Sequence, residues 1–234
     1  MSCKIKICGL SSRADMEMAA WMGADYGGIL IDIDSIRAHP LKQAADLFVS
    51  PPLPVAAVTQ DKDLDGNART AEALAPAALQ LHGFEPPELV CALKSRVSCE
   101  IWKAMHLPAS ESGEALDLEA FLRSIKEYAE ASVDRFVIDA SCMEGGRRKL
   151  GGTGKTVDWR TARWIRERSP RPMLLAGGLN PENVAEAVTA VQPYGVDLSS
   201  GVESVIGKKD PDKVLLLIAR VRALEGMSGI PRIC

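Results

Sequence analysis

Short apolar or β-branched runs alternate eight times with longer amphipathic runs along this 234-residue chain. The short runs predict β-strands at Lys4–Cys8, Tyr26–Asp32, Val55–Gln60, Ala78–His82, Cys99–Met105, Arg135–Asp139, Pro172–Ala176 and Gly195–Leu198. Apolar residues spaced i, i+3 and i+4 predict helices between them, at about 13–22, 40–49, 67–75, 86–96, 115–130, 158–168, 181–191 and 210–224. Eight strand–helix units in a chain of this length predict an α/β protein, a single-domain (β/α)8 TIM barrel covering residues 1–234.

The main competing fold is a doubly wound open sheet. Such a sheet usually has about six strands and a Gly-x-Gly-x-x-Gly turn after the first strand. Here the first predicted strand is followed by Gly9-Leu10-Ser11, which does not fit that turn. Two helix starts also support the alternation, because Asn180-Pro181 and Asp210-Pro211 each place an N-cap residue before a proline suited to the first helical position. We therefore favour the barrel.

Composition argues against several classes of function. The net charge is -3 and the pI is near 5.7, so nucleic acid is not an expected partner. No apolar stretch reaches the roughly 18 residues of a membrane span, and the N-terminus turns polar too soon for a signal peptide, so we expect a cytoplasmic protein without a membrane partner. The six cysteines form no C-x-x-C pair and the three histidines are scattered, which predicts free thiols and no metal site.

The hexapeptide Gly151-Gly152-Thr153-Gly154-Lys155-Thr156 looks like the end of a phosphate-binding P-loop, which would indicate a nucleotide hydrolase. That pattern needs a glycine five positions before the Gly-Lys-Thr, and residue 149 is lysine. The preceding residues 140–150 are polar and glycine-rich, whereas a P-loop directly follows a buried strand. We interpret the segment as a basic, glycine-rich loop that can fold over a site and meet an anionic substrate.

The C-terminal ends of the strands are where a barrel of this kind builds its site. Two of these ends are rich in small residues: Gly177 and Gly178 follow the seventh strand, and Ser199, Ser200 and Gly201 follow the eighth. Glycine lets backbone N–H groups approach an anion closely, and serine hydroxyls add hydrogen-bond donors. Barrels often bind a phosphate at these two loops, so we predict a small phosphorylated substrate there.

The order of the short motifs, about one at each strand end, resembles the phosphoribosylanthranilate isomerase family along nearly the whole chain. The matching segments are Lys6-Ile7-Cys8-Gly9-Leu10, Gly23-Ala24-Asp25, Ser35-Ile36-Arg37, Leu79-Gln80-Leu81-His82-Gly83, Lys103-Ala104, Ile138-Asp139-Ala140, residues 151–159, Leu175-Ala176-Gly177-Gly178-Leu179 and Asp197-Leu198-Ser199-Ser200-Gly201-Val202-Glu203. The resemblance implies an Amadori rearrangement in tryptophan biosynthesis, in which the aminoaldose phosphoribosylanthranilate becomes an aminoketose without metal or cofactor.

The resemblance also implies roles for individual residues. Asp139 is the expected general acid for opening the furanose ring, Cys8 the base that removes the C2′ proton, and Arg37 the partner of the anthranilate carboxylate. Their reference pKa values are unsuitable, at about 3.9 for aspartic acid and about 8.5 for cysteine. Apolar surroundings would have to raise the pKa of Asp139, and a nearby positive group would have to lower that of Cys8. His82 is expected to be a hydrogen-bonded structural residue.

Three departures from the family pattern lie near the expected aromatic end of the pocket. Ile36 replaces a proline, Thr59-Gln60 replaces a valine–asparagine pair, and the loop after Asp139 is longer and carries Arg147-Arg148-Lys149. A paralogous barrel that acts on a different phosphorylated metabolite is therefore the main alternative, and a catalytically silent binding barrel is another. The family includes monomers and homodimers, and no surface stripe in the sequence distinguishes the two.

Overall fold

The computed structural model describes residues 2–144, 147–150 and 154–227. Eight parallel strands form its centre: β1 Lys4–Cys8, β2 Tyr26–Ile31, β3 Val55–Thr59, β4 Ala78–Leu81, β5 Glu100–Pro108, β6 Arg135–Glu144, β7 Met173–Leu175 and β8 Gly195–Leu198. Helices follow them in turn: α1 Arg13–Met22, α2 Leu41–Phe48, α3 Leu64–Leu74, α4 Pro87–Lys94, α5 Leu118–Glu130, α6 Trp159–Arg168, α7 Val184–Val191 and α8 Pro211–Met227. The described helices include none with the length and apolar character needed to cross a membrane.

The sheet is closed, which confirms the predicted (β/α)8 barrel. Consecutive strands pair in parallel around the ring, and β8 pairs back with β1 from the register Lys4↔Gly195 onward. Short strands lie outside the ring at Ala38–His39, Arg147–Leu150, Glu203–Val205 and Lys208–Lys209. Because all eight strands are parallel, their carboxyl ends meet at one mouth of the barrel.

The segment 140–150 is not the irregular loop that its composition predicts. Strand β6 continues to Glu144, and Arg147–Leu150 returns antiparallel to it, with Ser141 opposite Leu150. The side chains of the basic triplet 147–149 lie outside the described residues, as does the segment 151–153 of the glycine-rich hexapeptide. This antiparallel pair of strands therefore extends one wall of the barrel mouth beyond the other strand ends.

The two predicted helix starts both carry the expected caps. The Asn180 side chain accepts hydrogen bonds from the backbone N–H groups of Glu182 and Asn183, although regular helix begins only at Val184. The Asp210 carboxylate accepts from the N–H groups two and three residues later, at the start of α8. These caps satisfy donors that would otherwise lack partners and hold both helices against the barrel end that carries the site.

The N-terminal end of the barrel is filled by one large side chain. Trp102 is fully buried and meets Tyr26 edge to face, with ring centroids 5.2 Å apart. The Arg135 guanidinium lies 5.2 Å from the Trp102 ring and 5.2 Å from the Tyr194 ring. Small or aliphatic residues surround this group, namely Ala56, Ala78, Ala104, Val137, Leu174 and Ala176. The arrangement closes the barrel at the end opposite its mouth.

Replacing Trp102 with alanine is expected to lower the free energy of unfolding by about 3–5 kcal/mol, because the surrounding small side chains cannot fill the resulting cavity. Urea denaturation of Trp102→Ala, compared with the exposed Trp21→Ala, measures the effect. The Trp21 side chain is 84% exposed, so its removal should change stability by less than about 0.5 kcal/mol. Equal stability losses in both variants would contradict this account of the barrel plug.

Candidate active site

A cavity of about 590 Å³ opens at the carboxyl ends of the strands. All eight residues predicted to form the site line it: Cys8, Arg37, Asp139, Gly177, Gly178, Ser199, Ser200 and Gly201. Further lining residues come from neighbouring strand ends, including Gln60, Gln80, His82, Asp197 and Glu203. The barrel therefore brings residues from almost the full length of the chain to one mouth.

The glycine loops after β7 and β8 are packed too tightly for a side chain. Gly177 and Gly178 have φ values of 85° and 58°, and a Cβ on Gly178 would lie 2.6 Å from the carbonyl carbon of Lys155. A Cβ on Gly201 would lie 1.9 Å from the carbonyl oxygen of Leu179, so the two loops touch each other. The absence of side chains leaves the backbone of both loops accessible at the cavity wall, as a phosphate site requires.

Cys8 ends β1 beside a buried ion pair. The Lys6 Nζ lies 2.7 Å from the Asp197 Oδ2, and the Lys6 side chain is completely buried. A Cβ on Gly28 would come within 3.0 Å of the Cys8 Sγ and 3.1 Å of the Lys6 Nζ, so this glycine makes room for both groups. Burial raises the pKa of the Cys8 thiol, and the opposing effects of Lys6 and Lys209 only partly offset burial. The structure thus supplies the expected positive group, but the net pKa shift is upward.

Asp139 lies in β6 with its carboxylate at the cavity wall. Its Oδ1 accepts a hydrogen bond of 2.7 Å from the backbone N–H of Ala140, and its Oδ2 lies 3.4 Å from the His82 Nε2. Burial favours the protonated carboxyl, but His82, His106 and the Ala140 N–H outweigh it and lower the pKa of Asp139. A general acid at this position needs a raised pKa, but the pKa of Asp139 is shifted in the opposite direction because two histidines adjoin the carboxylate.

Arg37 faces the cavity with most of its guanidinium already engaged. Its Nε donates to the Glu203 Oε1 at 2.8 Å and its Nη2 to the Oε2 at 2.7 Å, while Lys209 donates to the same carboxylate at 2.9 Å. The fork that was expected to grip a substrate carboxylate is therefore held by an internal one. Sequence reasoning gave Glu203 no role, and only its position after the eighth strand pointed to the site.

The Glu203 carboxylate should contribute stability that disappears in acid. Burial is outweighed by hydrogen bonds from Arg37 and Lys209, and the pKa of Glu203 falls from its ordinary 4.5 to about 2. A lowered folded-state pKa gives stability that is present above pH 4.5 and is lost as the pH falls toward 2. The contribution is up to about 3 kcal/mol, since each pKa unit corresponds to about 1.4 kcal/mol.

Chemical denaturation of wild type and Glu203→Gln at several pH values measures that contribution. The stability difference between the two proteins should be largest at neutral pH and shrink steadily below pH 4.5. Glu17→Gln is the matched control, because this exposed carboxylate only contacts Arg13 at 3.4 Å. A difference for Glu203→Gln that does not depend on pH would refute the ion-pair explanation.

The three departures from the family pattern lie in different surroundings. Ile36 is 78% exposed, and Thr59 is buried where its hydroxyl donates to the Asn67 side chain at 2.8 Å. Gln60 lines the cavity, and so does Leu150 at the end of the longer loop. Lys155, expected to face an anionic substrate, instead pairs with Glu111 at 2.9 Å. Gln60 and the longer loop therefore contribute to the cavity wall, whereas Ile36 and Thr59 do not line it.

Comparisons with known proteins agree with this geometry. A family model described as N-(5′-phosphoribosyl)anthranilate isomerase matches residues 5–220. The protein of that name from Afipia carboxidovorans is 38% identical over 238 aligned residues, covering 99% of this chain and 93% of the relative. The solved N-(5′-phosphoribosyl)anthranilate isomerase from Pyrococcus furiosus superposes with a TM-score of 0.78 at 27% identity, covering 94% of this chain and 99% of that one.

A second solved phosphoribosyl anthranilate isomerase is in complex with reduced 1-(o-carboxyphenylamino)-1-deoxyribulose 5-phosphate. It superposes with a TM-score of 0.75 at 27% identity and covers 94% of this chain and 99% of its own.

Proposed function

The chain belongs to the N-(5′-phosphoribosyl)anthranilate isomerase family, and from this membership we propose how its own residues carry out the Amadori rearrangement in tryptophan biosynthesis. In this reaction an aminoaldose phosphate becomes 1-(o-carboxyphenylamino)-1-deoxyribulose 5-phosphate. Ring opening requires a proton on the furanose oxygen, and the rearrangement then requires removal of the C2′ proton. We assign the first step to Asp139 as general acid and the second to Cys8 as general base.

The assignment of these two roles rests on the order of the strands in the barrel. Around the ring, β7 and β8 lie between β6, which bears Asp139, and β1, which bears Cys8. A phosphate seated on the glycine and serine loops after β7 and β8 therefore places the attached ribose between the acid and the base. Gly177, Gly178, Ser199, Ser200 and Gly201 form this proposed phosphate site, and Arg37 offers its positive charge to the anthranilate carboxylate from the far side of Cys8.

Substrate binding supplies the protonation states that the unliganded site lacks. The substrate brings a phosphate and a carboxylate, and negative charge near Asp139 favours its protonated form. Closure over the substrate also removes water, which raises the pKa of a carboxyl that cannot be solvated. At the base, the buried Lys6 ammonium stabilises the Cys8 thiolate as the thiol loses its proton.

A turnover assay with the purified protein tests the activity directly. Phosphoribosylanthranilate, prepared by condensing anthranilate with ribose 5-phosphate, should be consumed with loss of anthranilate-type fluorescence and no requirement for added metal. Complementation of a tryptophan auxotroph lacking this step gives an independent result. A folded wild-type protein without turnover in either assay would contradict the proposed function. We further propose that the protein acts in the cytoplasm as a monomer or homodimer, which sedimentation velocity would distinguish.

A further inference from the structure

Two of the three histidines meet beside the proposed general acid, although the sequence separates them widely. His82 directly follows β4, His106 lies in β5, and Asp139 lies in β6, where it is the register partner of His106. One potential ligand atom from each residue lies within 4.8 Å of the other two. Adjacent strands thus present two imidazoles and a carboxylate at one place on the wall of the barrel.

One distance in the cluster already suits a small tetrahedral cation, and the ligand atoms all lie within 4.8 Å of one another. Zinc binds imidazole nitrogen and carboxylate oxygen at about 2.0–2.2 Å, which places two ligands of a tetrahedral site about 3.4 Å apart. The His82 Nε2 and the Asp139 Oδ2 are 3.4 Å apart. His82 and Asp139 also line the cavity, which leaves one coordination position open toward it. Such a three-ligand site resembles an open zinc site more than a closed structural one.

His106 already has the hydrogen bonding of a metal ligand. Its Nε2 lies 2.9 Å from the backbone carbonyl oxygen of His82, which can only accept, so Nε2 carries the hydrogen. Its Nδ1 therefore holds a lone pair, and this atom is buried without a hydrogen-bond partner among the described residues. Metal-binding histidines characteristically donate their other N–H to a backbone carbonyl or carboxylate in this way.

Gln80 can support the tautomer that His82 would need. The Gln80 Nε2 lies 3.2 Å from the His82 Nδ1, while the Gln80 Oε1 is buried without a hydrogen-bond partner. A rotation of this amide by 180° exchanges its two ends, so that Oε1 accepts a hydrogen from Nδ1. The proton of His82 then moves from Nε2 to Nδ1, and the Nε2 lone pair becomes available with no net proton release.

We propose that His82, His106 and Asp139 form a binding site for a divalent transition-metal ion of the zinc class. The ion takes the place of the hydrogen between the His82 Nε2 and the Asp139 Oδ2 and gains the unpartnered Nδ1 of His106. Occupancy makes the Asp139 carboxylate a ligand, so it can no longer deliver a proton to the substrate. The ion is therefore a reversible inhibitor, a consequence that rests on the proposed function, whereas metal binding itself does not.

Cobalt and zinc titrations of the untagged wild-type protein test the site without relying on activity. Saturable 1:1 binding of Co2+ should produce the visible absorption of tetrahedral cobalt, and Zn2+ should displace the cobalt. His106→Gln removes a proposed ligand and should weaken the affinity by at least the roughly 10- to 100-fold that loss of an outer-shell partner typically causes. His39→Gln is the matched control, because His39 is the histidine outside the cluster and does not line the cavity. His82→Gln serves as the second cluster variant, and circular dichroism checks the folding of each.

Three results would overturn the proposal. These are no saturable binding by the wild type, equal affinity in the cluster variants and the control, or a sulfur-to-cobalt charge-transfer band that places the ion on cysteine. If turnover is present, Zn2+ should inhibit the wild type and a chelator should restore it, with weaker inhibition of His106→Gln relative to its own metal-free rate. Binding without turnover would contradict the proposed function and leave the metal site supported.

Discussion

Cys8→Ala and Asp139→Asn are each expected to reduce kcat by about 100- to 10,000-fold, the range that a positioned acid or base usually contributes. Both residues line the cavity, and the glycine and serine loops follow the two strands that lie between theirs in the sheet. In the proposed mechanism the two groups act on different proton transfers of one substrate, so neither should be able to replace the other. Substrate consumption under single-turnover conditions measures each loss without interference from product release.

Two control variants remove the same kinds of side chain, a thiol and a carboxylate, at exposed positions. Cys91→Ala removes an exposed thiol, and Asp65→Asn removes an exposed carboxylate that pairs with Arg96 at 2.7 Å. Both should keep wild-type turnover. Near-wild-type kcat in Cys8→Ala or Asp139→Asn, with folding verified by circular dichroism, would remove that residue from the mechanism while leaving the family membership intact.

Lys6→Met is expected to lower both stability and kcat, through two separable effects. The substitution leaves the Asp197 carboxylate buried without its counter-ion, which should destabilise the protein by about 3–5 kcal/mol. It also removes the cation that stabilises the Cys8 thiolate. A nearby charge of this kind contributes about 3 kcal/mol, and each factor of ten in rate corresponds to about 1.4 kcal/mol, so kcat should fall on the order of 100-fold.

The double variant Lys6→Met/Asp197→Asn separates these effects. Removing both charges should recover much of the lost stability, because no unpaired ion remains buried, yet kcat should stay low. The rate of Cys8 alkylation against pH, followed by mass spectrometry of its peptide, should show a higher thiol pKa in Lys6→Met, since Lys6 lowers the pKa of Cys8 in the wild type. Recovery of kcat together with stability in the double variant would reduce Lys6 to a purely structural role.

The sequence predicts the location of the site better than its electrostatics. Strand ends follow from local apolar periodicity, so the cavity-lining positions could be identified from the chain alone. Side-chain partners could not, because they arise from distant segments: Arg37 is held by Glu203, and the two are 166 positions apart. Such partners set the downward pKa shift of Asp139, whereas burial sets the upward pKa shift of Cys8, and both directions differ from the sequence-based expectation.

His106 shows why the histidine cluster escaped the sequence reasoning. The predicted fifth strand ends at Met105, whereas the observed strand continues to Pro108 and carries His106 opposite Asp139. His106 interrupts the apolar run at this strand end, although the next residue, Leu107, is buried in the core. Both histidines lie within two residues of the end of a strand, since His82 is one position beyond its strand. Considering every histidine within that distance of a predicted strand end would have found the pair.

The candidate site is complete only after β1 has paired with β8, which can happen only late in the synthesis of the chain. Lys6 and Asp197 are 191 positions apart, and closing a segment of that length costs roughly 5 kcal/mol of loop entropy. While the ribosome has not yet released the residues from 195 onward, β1 has one unpaired edge and Lys6 lacks its counter-ion. Chains that end before residue 195 therefore lack the counter-ion beside the proposed base, and the proposed chemistry should require the pairing of β1 with β8.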